Sequence, residues 1–317
     1  MISFLQSYFA LFHDSYTFRV VGESLILVQS ILPGLIAGLF ISSFLIAYRP
    51  SWLWNPRNRS GGFGSIFLLA CIGIVSPFCS YLAIPLAATM IANGVQPAPV
   101  FAFLFATPLM NPNLFLMTRS AFEWPLAVAR VVSALGFGLL GGVLAKGFAS
   151  SLSSWIPSSS NTSMLGIAQP SNACTPLWQR WMTSLRHQSW FVIKYVLIGV
   201  CVAAAIKELI PMQWILFAVG RDHSYGILIG AMLGVPLYAC GGGSIPIIQI
   251  LLSMGMSPGA ALAFFIAGPA TKVPTLMTMH MTLGFFITGS YFLLSLGWSV
   301  ICGTLFQKIV DGFMSIP

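Results

Sequence analysis

Charge is what this sequence has least of: 6% of its 317 residues are charged, with 6 acids against 14 Lys and Arg. Soluble domains carry about a quarter, so folding in water is excluded and a lipid setting is expected. Basic runs interleaved with aromatics are missing, which excludes nucleic acid as a partner. The net charge of +8 fits Lys and Arg placed beside a membrane. The cysteines (Cys71, Cys79, Cys174, Cys201, Cys240 and Cys302) form no C-x-x-C pair. Neither a zinc knuckle nor a disulfide framework is therefore expected. Also lacking are H-E-x-x-H, a P-loop and a nucleophile elbow. No enzyme, metal or cofactor is expected, and transport would run on a gradient, passively, or with another protein's help. Met1–Arg19 has no basic region ahead of a small-residue cleavage site, so no cleaved signal peptide is expected.

Hydrophobic residues are abundant, at 57%, and mean hydropathy is +0.90. A repeat organises them. The stretch Cys79–Met117 is echoed 161 residues later by Cys240–Thr278, without a gap. Cys79 meets Cys240, Pro85 meets Pro246, Gly94 meets Gly255, Pro97 meets Pro258 and Pro108 meets Pro269. Farther out, Gly142 meets Gly303. Apolar residues often align by chance; Pro, Gly and Cys at one offset do not. The expected fold is an all-α polytopic membrane protein with two homologous four-segment halves and broken helices in each.

Residues 1–20 read as an interfacial segment and 21–148 as the first transmembrane repeat. Residues 149–187 are a polar linker, 188–309 the second transmembrane repeat and 310–317 a C-terminal tail. Residues 21–48 and 122–148 are plain spans, since a bilayer core needs about 20 helical residues. Between them, 63–93 is interrupted by Ser76-Pro77 and Pro85, and 97–119 by Thr107-Pro108 and Asn111-Pro112-Asn113. In the second repeat 188–210 and 283–308 are plain, while 224–253 and 257–280 break at Ala239–Gly243 and Gly268–Pro274. Proline removes a helix donor and clashes with the preceding turn. In lipid the freed carbonyls are tolerated only inside a bundle or beside water.

Lys and Arg bear on the topology. With eight plain crossings they divide evenly and give no orientation. If one broken segment per half re-enters, one side carries Arg49, Arg57, Arg59, Lys146, Arg180, Arg186 and Lys194, with no acids. The other carries Arg19, Lys207, Arg221 and Lys308 among Asp14, Glu23, Glu208, Asp222 and Asp311. That division favours inverted repeats, with termini outside and the linker in the cytoplasm; parallel repeats are the alternative.

Inverted repeats with discontinuous helices place half-helix ends and unwound backbone at the midplane, where a small solute binds. The first half would supply Cys79, Ser80, Thr107, Asn111 and Asn113. The second would supply Cys240, Gly241, Gly242, Gly243, Ser244, Thr271 and Lys272. The three glycines let backbone N–H groups approach a ligand. The plain alternative is that Gly and Pro only shape tightly packed spans. Lys272, at the position matching Asn111, is costly inside a membrane and functional by default. It would attract an anion, or lose a proton in a coupled cycle; otherwise it snorkels from a helix end. Glu123 is the other proton-coupling candidate, although with Arg119 and Arg130 it also reads as an internal ion-pair network.

P-F-C-S-x-x-x-I-P with A-T-P-L-M-N-P downstream, then V-P-L-Y-A-C-G-G-G-S-I-P, S-P-G-A-A-L-A-F-F-I-A-G-P-A-T and K-V-P-T, form a distinctive set. They resemble the predicted-permease family that includes the ArsP-type organoarsenical efflux permeases. The likeness covers roughly residues 25–148 and 188–308. It implies a multi-pass permease of the bacterial inner membrane. It also implies Cys79 and Cys240 as ligands of trivalent organoarsenicals, which are soft and thiophilic. The family's Cys-x-Cys is departed from here, since Tyr81 fills the second slot. A local dithiol clamp is missing, and one thiol from each half would have to meet. The alternative is that both are small buried hydrophobes. A membrane thiol-redox protein using Cys79 and Cys240, a scaffold subunit without a solute, and a permease for an anion or another solute are the rival readings. The expected partners are a small-molecule solute and the lipid bilayer, with a homo-oligomer left open.

Overall fold

The computed structural model describes residues 62–76, 80–92, 94–122, 124–147, 225–234, 244–253 and 255–314, with scattered positions between 36 and 48 and between 176 and 193. Every regular element among them is helical. The first group comprises α1 (Phe63–Val75), α2 (Ser80–Ala92), α3 (Pro97–Ala106), α4 (Pro112–Ala121) and α5 (Trp124–Gly147). The second comprises α6 (Gly226–Gly234), α7 (Ser244–Ser253), α8 (Pro258–Ala270), α9 (Val273–Leu283) and α10 (Phe285–Met314). Two are long and apolar enough to cross a bilayer, Trp124–Gly147 and Phe285–Gly312. Pro258–Ala270 with Thr275–Met281 makes a third if that pair, bent by 42°, is one span. The chain is thus an all-α membrane protein. The segments 1–20, 21–35 and 194–224, most of the linker, and Cys79, Glu123, Cys240 and Gly241–Gly243 lie outside the described residues.

The sequence punctuates these helices. Pro97, Pro112 and Pro258 each open a helix, where a missing N–H costs nothing and φ is already helical. Asn111 and Ser257 cap their helices by accepting from Leu114 N at 2.8 Å and Ala260 N at 3.2 Å. Gly94 and Gly255 close α2 and α7 with φ of 82° and 101°. After each, an amide reaches back five residues, Val95 N to Met90 O and Met256 N to Leu251 O. That is the glycine-terminated helix end, and Val95 and Met256 are buried behind it.

The 161-residue spacing recurs in the geometry. Pro97 and Pro258, Pro112 and Val273, and Trp124 and Phe285 are helix starts so separated. It recurs in packing. A Cβ on Gly142 would meet Ile66, Ala98 and Ala102; one on Gly303 would meet Ile227, Gly259 and Ala263, each 161 residues on. Helices α1, α3 and α5 pack mutually, as do α6, α8 and α10. Small residues let these backbones close in, since packing rather than water exclusion holds helices together in lipid. Helix α5 joins the groups by touching α8 and α10. Two further contacts cross over: α2 lies against α9, and α4 against α7.

One expected interruption is absent. Helix α2 runs through Pro85. Pro85 is flanked by the buried Ile84 and Leu86, and packing on both sides holds the turn that lost its bond. Two other expected breaks are present, at Thr107–Asn111 between α3 and α4 and at Thr271-Lys272, within Gly268–Pro274, between α8 and α9.

Candidate functional site

The polar residues at the breaks are buried but largely engaged with their own backbone. The Thr107 hydroxyl donates to the Phe103 carbonyl at 2.7 Å, and that of Thr271 to the Ala267 carbonyl at 2.8 Å. Their lone pairs remain as acceptors. Asn111 spends its side-chain oxygen on the α4 cap. Lys272 occupies the N-cap position of α9 and is 4% exposed. It is enclosed by protein rather than snorkelling outward. Ser80 and Ser244 begin α2 and α7, and Asn113 lies in the first turn of α4. The structure therefore puts the described candidates on the two breaks and on the first turns of the helices around them.

Two neighbourhoods between the helix groups add residues that sequence reasoning did not select. In the first, Arg130 of α5 is 2% exposed. Its Nη1 donates to the Thr118 hydroxyl of α4, which in turn donates to the Leu114 carbonyl. The guanidinium lies 4.2 Å from the centroid of Phe265, on α8 of the other group, a cation–π contact strengthened by exclusion of water. Nη2 has no hydrogen-bond partner. Arg119 covers Trp124 at 4.5 Å, and Glu123, the expected partner of Arg119 and Arg130, lies outside the described residues.

The second neighbourhood is a narrow gap lined by Ile84 of α2, Leu104 of α3, Pro108 of the first break, Thr275 and Met279 of α9 and Tyr291 of α10. The space between these atoms is nowhere wide enough for a water molecule. Tyr291 is 1% and Thr275 2% exposed, and neither hydroxyl has a hydrogen-bond partner. A buried orphan hydroxyl costs roughly 1–3 kcal/mol. Tyr291 is held by ring contacts with Phe105 at 4.8 Å and Phe137 at 5.9 Å, both from the first helix group.

The two neighbourhoods correspond. Tyr291 follows Arg130 by 161 residues, Met279 follows Thr118, Phe265 follows Leu104, and Thr275 follows Leu114. That register was the available signal: the position matching an intramembrane arginine is a tyrosine inside an otherwise apolar span.

The predicted-permease family of the ArsP type matches residues 23–308. Similar proteins include the UPF0718 protein MJ0584 of Methanocaldococcus jannaschii, 24% identical over 88% of this chain and 89% of its own length. The UPF0718 protein YraQ of Escherichia coli is 26% identical over 77% of this chain and 68% of its own. A Streptococcus mutans protein, named as a candidate subunit of a two-component membrane permease complex, is 24% identical over 78% of this chain and 81% of its own. No solved structure matches. With its helices long enough to span, its helix breaks and a family match over most of its length, this multi-pass chain belongs to the ArsP-type predicted-permease family, a class of transporters rather than enzymes.

Proposed function

We propose that this chain is a permease of the bacterial inner membrane whose two halves are inverted repeats, carrying a small solute between the two helix breaks. The observation that carries the two-half reading is the crossed pairing of α2 with α9 and of α4 with α7; the inversion rests on the division of Lys and Arg between the two sides, since parallel halves would pair reciprocally too. The helices α2 and α7, like α4 and α9, stand in corresponding places of the two halves, so the pairing is reciprocal, as a two-fold relation demands. It sets the helix that follows each break against a helix of the other half. Broken helices at such a junction present chain ends and buried polar groups to a solute. Lys272 and Arg130 are buried cations among the described residues, and Glu123 remains a proton-coupling candidate.

The organoarsenical reading rests on Cys79 and Cys240, immediately before α2 and four residues before α7. Its test is energised uptake of trivalent methylarsenite into everted vesicles bearing the protein, its Cys79→Ala variant, or neither. Uptake lost in the variant is expected. Uptake kept in the variant leaves an exporter without a thiol ligand. No uptake above empty vesicles, with the protein inserted, sinks the arsenical reading. A second reading draws on the Streptococcus mutans relative's description: this chain works as one subunit of a two-component complex. Co-purification of a stoichiometric second protein from native membranes is its expected sign.

A further inference from the structure

We infer that the linker helix around Trp181 lies in the plane of the membrane interface, where Arg186 takes the phosphate of an anionic phospholipid. This goes beyond the permease reading and depends on neither the solute nor the inversion.

Residues 178, 179 and 181–186 are helical. The Gln179 amide donates to the Pro176 carbonyl at 3.0 Å, and the Thr183 hydroxyl to the Gln179 carbonyl at 2.8 Å. At about 3.6 residues per turn, the side chains fall into three adjacent sectors. Ser184, Trp181 and Leu185 form the first, which faces protein. Ser184 is buried and Leu185 packs on the core. The Trp181 indole donates to the Ser43 hydroxyl at 3.0 Å, and its ring meets Phe40 at 5.9 Å. Trp178 and Met182 form the second sector and are 61% and 42% exposed. Arg186, Gln179 and Thr183 form the third, and all three are exposed. A helix lying flat against a bundle meets protein on one flank, acyl chains on the next and headgroups on the third, in that order.

The bond to Ser43 sets the depth. Ser43 lies in the last part of the apolar stretch 21–48. Beyond it Phe44 and Tyr48 are exposed and stack at 5.5 Å, the aromatic belt that marks a membrane boundary. Charge selects the lipid. The loop 49–62 and the residues 149–194 carry Arg49, Arg57, Arg59, Arg180, Arg186 and Lys194, and no acid. A zwitterionic headgroup brings no net charge to balance them, whereas an anionic one does. The planar guanidinium also matches two phosphate oxygens at once.

The test uses the full-length protein in phosphatidylcholine liposomes. With native cysteines replaced, Met182→Cys and Thr183→Cys each carry an NBD fluorophore. The quenchers are phosphatidylcholine and phosphatidylglycerol with a nitroxide on the acyl chain. Either lipid should quench the dye at 182 more strongly than the dye at 183. Phosphatidylglycerol should reach the same quenching at 182 at a mole fraction about fivefold lower, the effect of one cation at an anionic surface. Arg186→Gln changes an exposed position, so packing is kept, and it should remove most of that preference. High salt should shrink the preference in the parent. Equal quenching at 182 and 183 overturns the in-plane placement. No quenching at either position overturns it too, and would show that protein, a second copy of this chain or another subunit, covers the helix. Equal potency of the two lipids, or a preference that survives Arg186→Gln, overturns the phosphate assignment. Every readout is independent of transport, so failure here leaves the permease reading standing.

Discussion

Arg130 brings a guanidinium into the packed centre of α5, where a threonine hydroxyl accepts from it and a ring lies against it. That makes the threonine more important than its size suggests. Thr118→Val leaves Nη1 facing a methyl group and should cost about 1–3 kcal/mol, the penalty of an orphaned buried donor. Arg130→Met removes the charge, keeps the length and retains contact with Phe265, so its loss should be smaller. Thermal unfolding of the two variants in the same detergent checks the order; a greater loss in Arg130→Met would show that the charge itself holds the helices. Legibility divides along the same lines. Thr107, Asn111, Thr271 and Lys272 are visible in the sequence because proline and glycine mark the breaks around them. Tyr291 is not, because a tyrosine among Phe292, Leu293 and Leu294 reads as packing. A repeat aligned on Pro, Gly and Cys also leaves a Tyr–Arg pair unmatched.

Helices here meet through glycine, and the position of each glycine decides what it tolerates. On Gly303 of α10 a Cβ would lie 2.7 Å from the Gly259 carbonyl oxygen and 2.8 Å from Ile227. Backbone cannot step aside as a flexible side chain can, so Gly303→Val should cost at least about 1–3 kcal/mol through overpacking. Gly297, on the same helix, has nothing within 4 Å of that position. Gly297→Ala should be neutral or gain up to about 1 kcal/mol from helix propensity. Melting temperatures of the pair separate packing from propensity, and equal losses would refute the close approach. At this scale the sequence predicts the long helices well: the expected spans 122–148 and 283–308 correspond to Trp124–Gly147 and Phe285–Met314. It predicts the breaks less well. Proline marks a weakened turn, but whether the helix yields there depends on neighbours far away in the chain: α2 continues through Pro85, whereas α8 ends one residue after Pro269.

Across the whole molecule, an inverted relation between halves has a consequence that parallel repeats lack. Gln96 and Ser257 flank the glycine turns before α3 and α8 and correspond at the 161-residue spacing. On the proposed topology they face opposite sides of the membrane. With native cysteines replaced, Gln96→Cys and Ser257→Cys should react with an impermeant maleimide from opposite faces of oriented vesicles; labelling from one face would establish parallel repeats instead. The 161-residue spacing is legible in the chain, whereas the handedness of the proposed repeats depends on a charge count over few residues. Phe137 and Trp298 are also 161 residues apart in the chain, yet their rings are 6.4 Å apart in space, and the indole donates to the Ser133 carbonyl at 3.0 Å. Corresponding positions that touch must straddle the line about which the halves exchange. If solute passage rocks one half against the other, that line is the fulcrum, and displacement grows with distance from it. Trp298 fluorescence should therefore stay constant through a transport cycle while a dye at Gln96 responds, giving the molecule a stationary reference built into its own sequence.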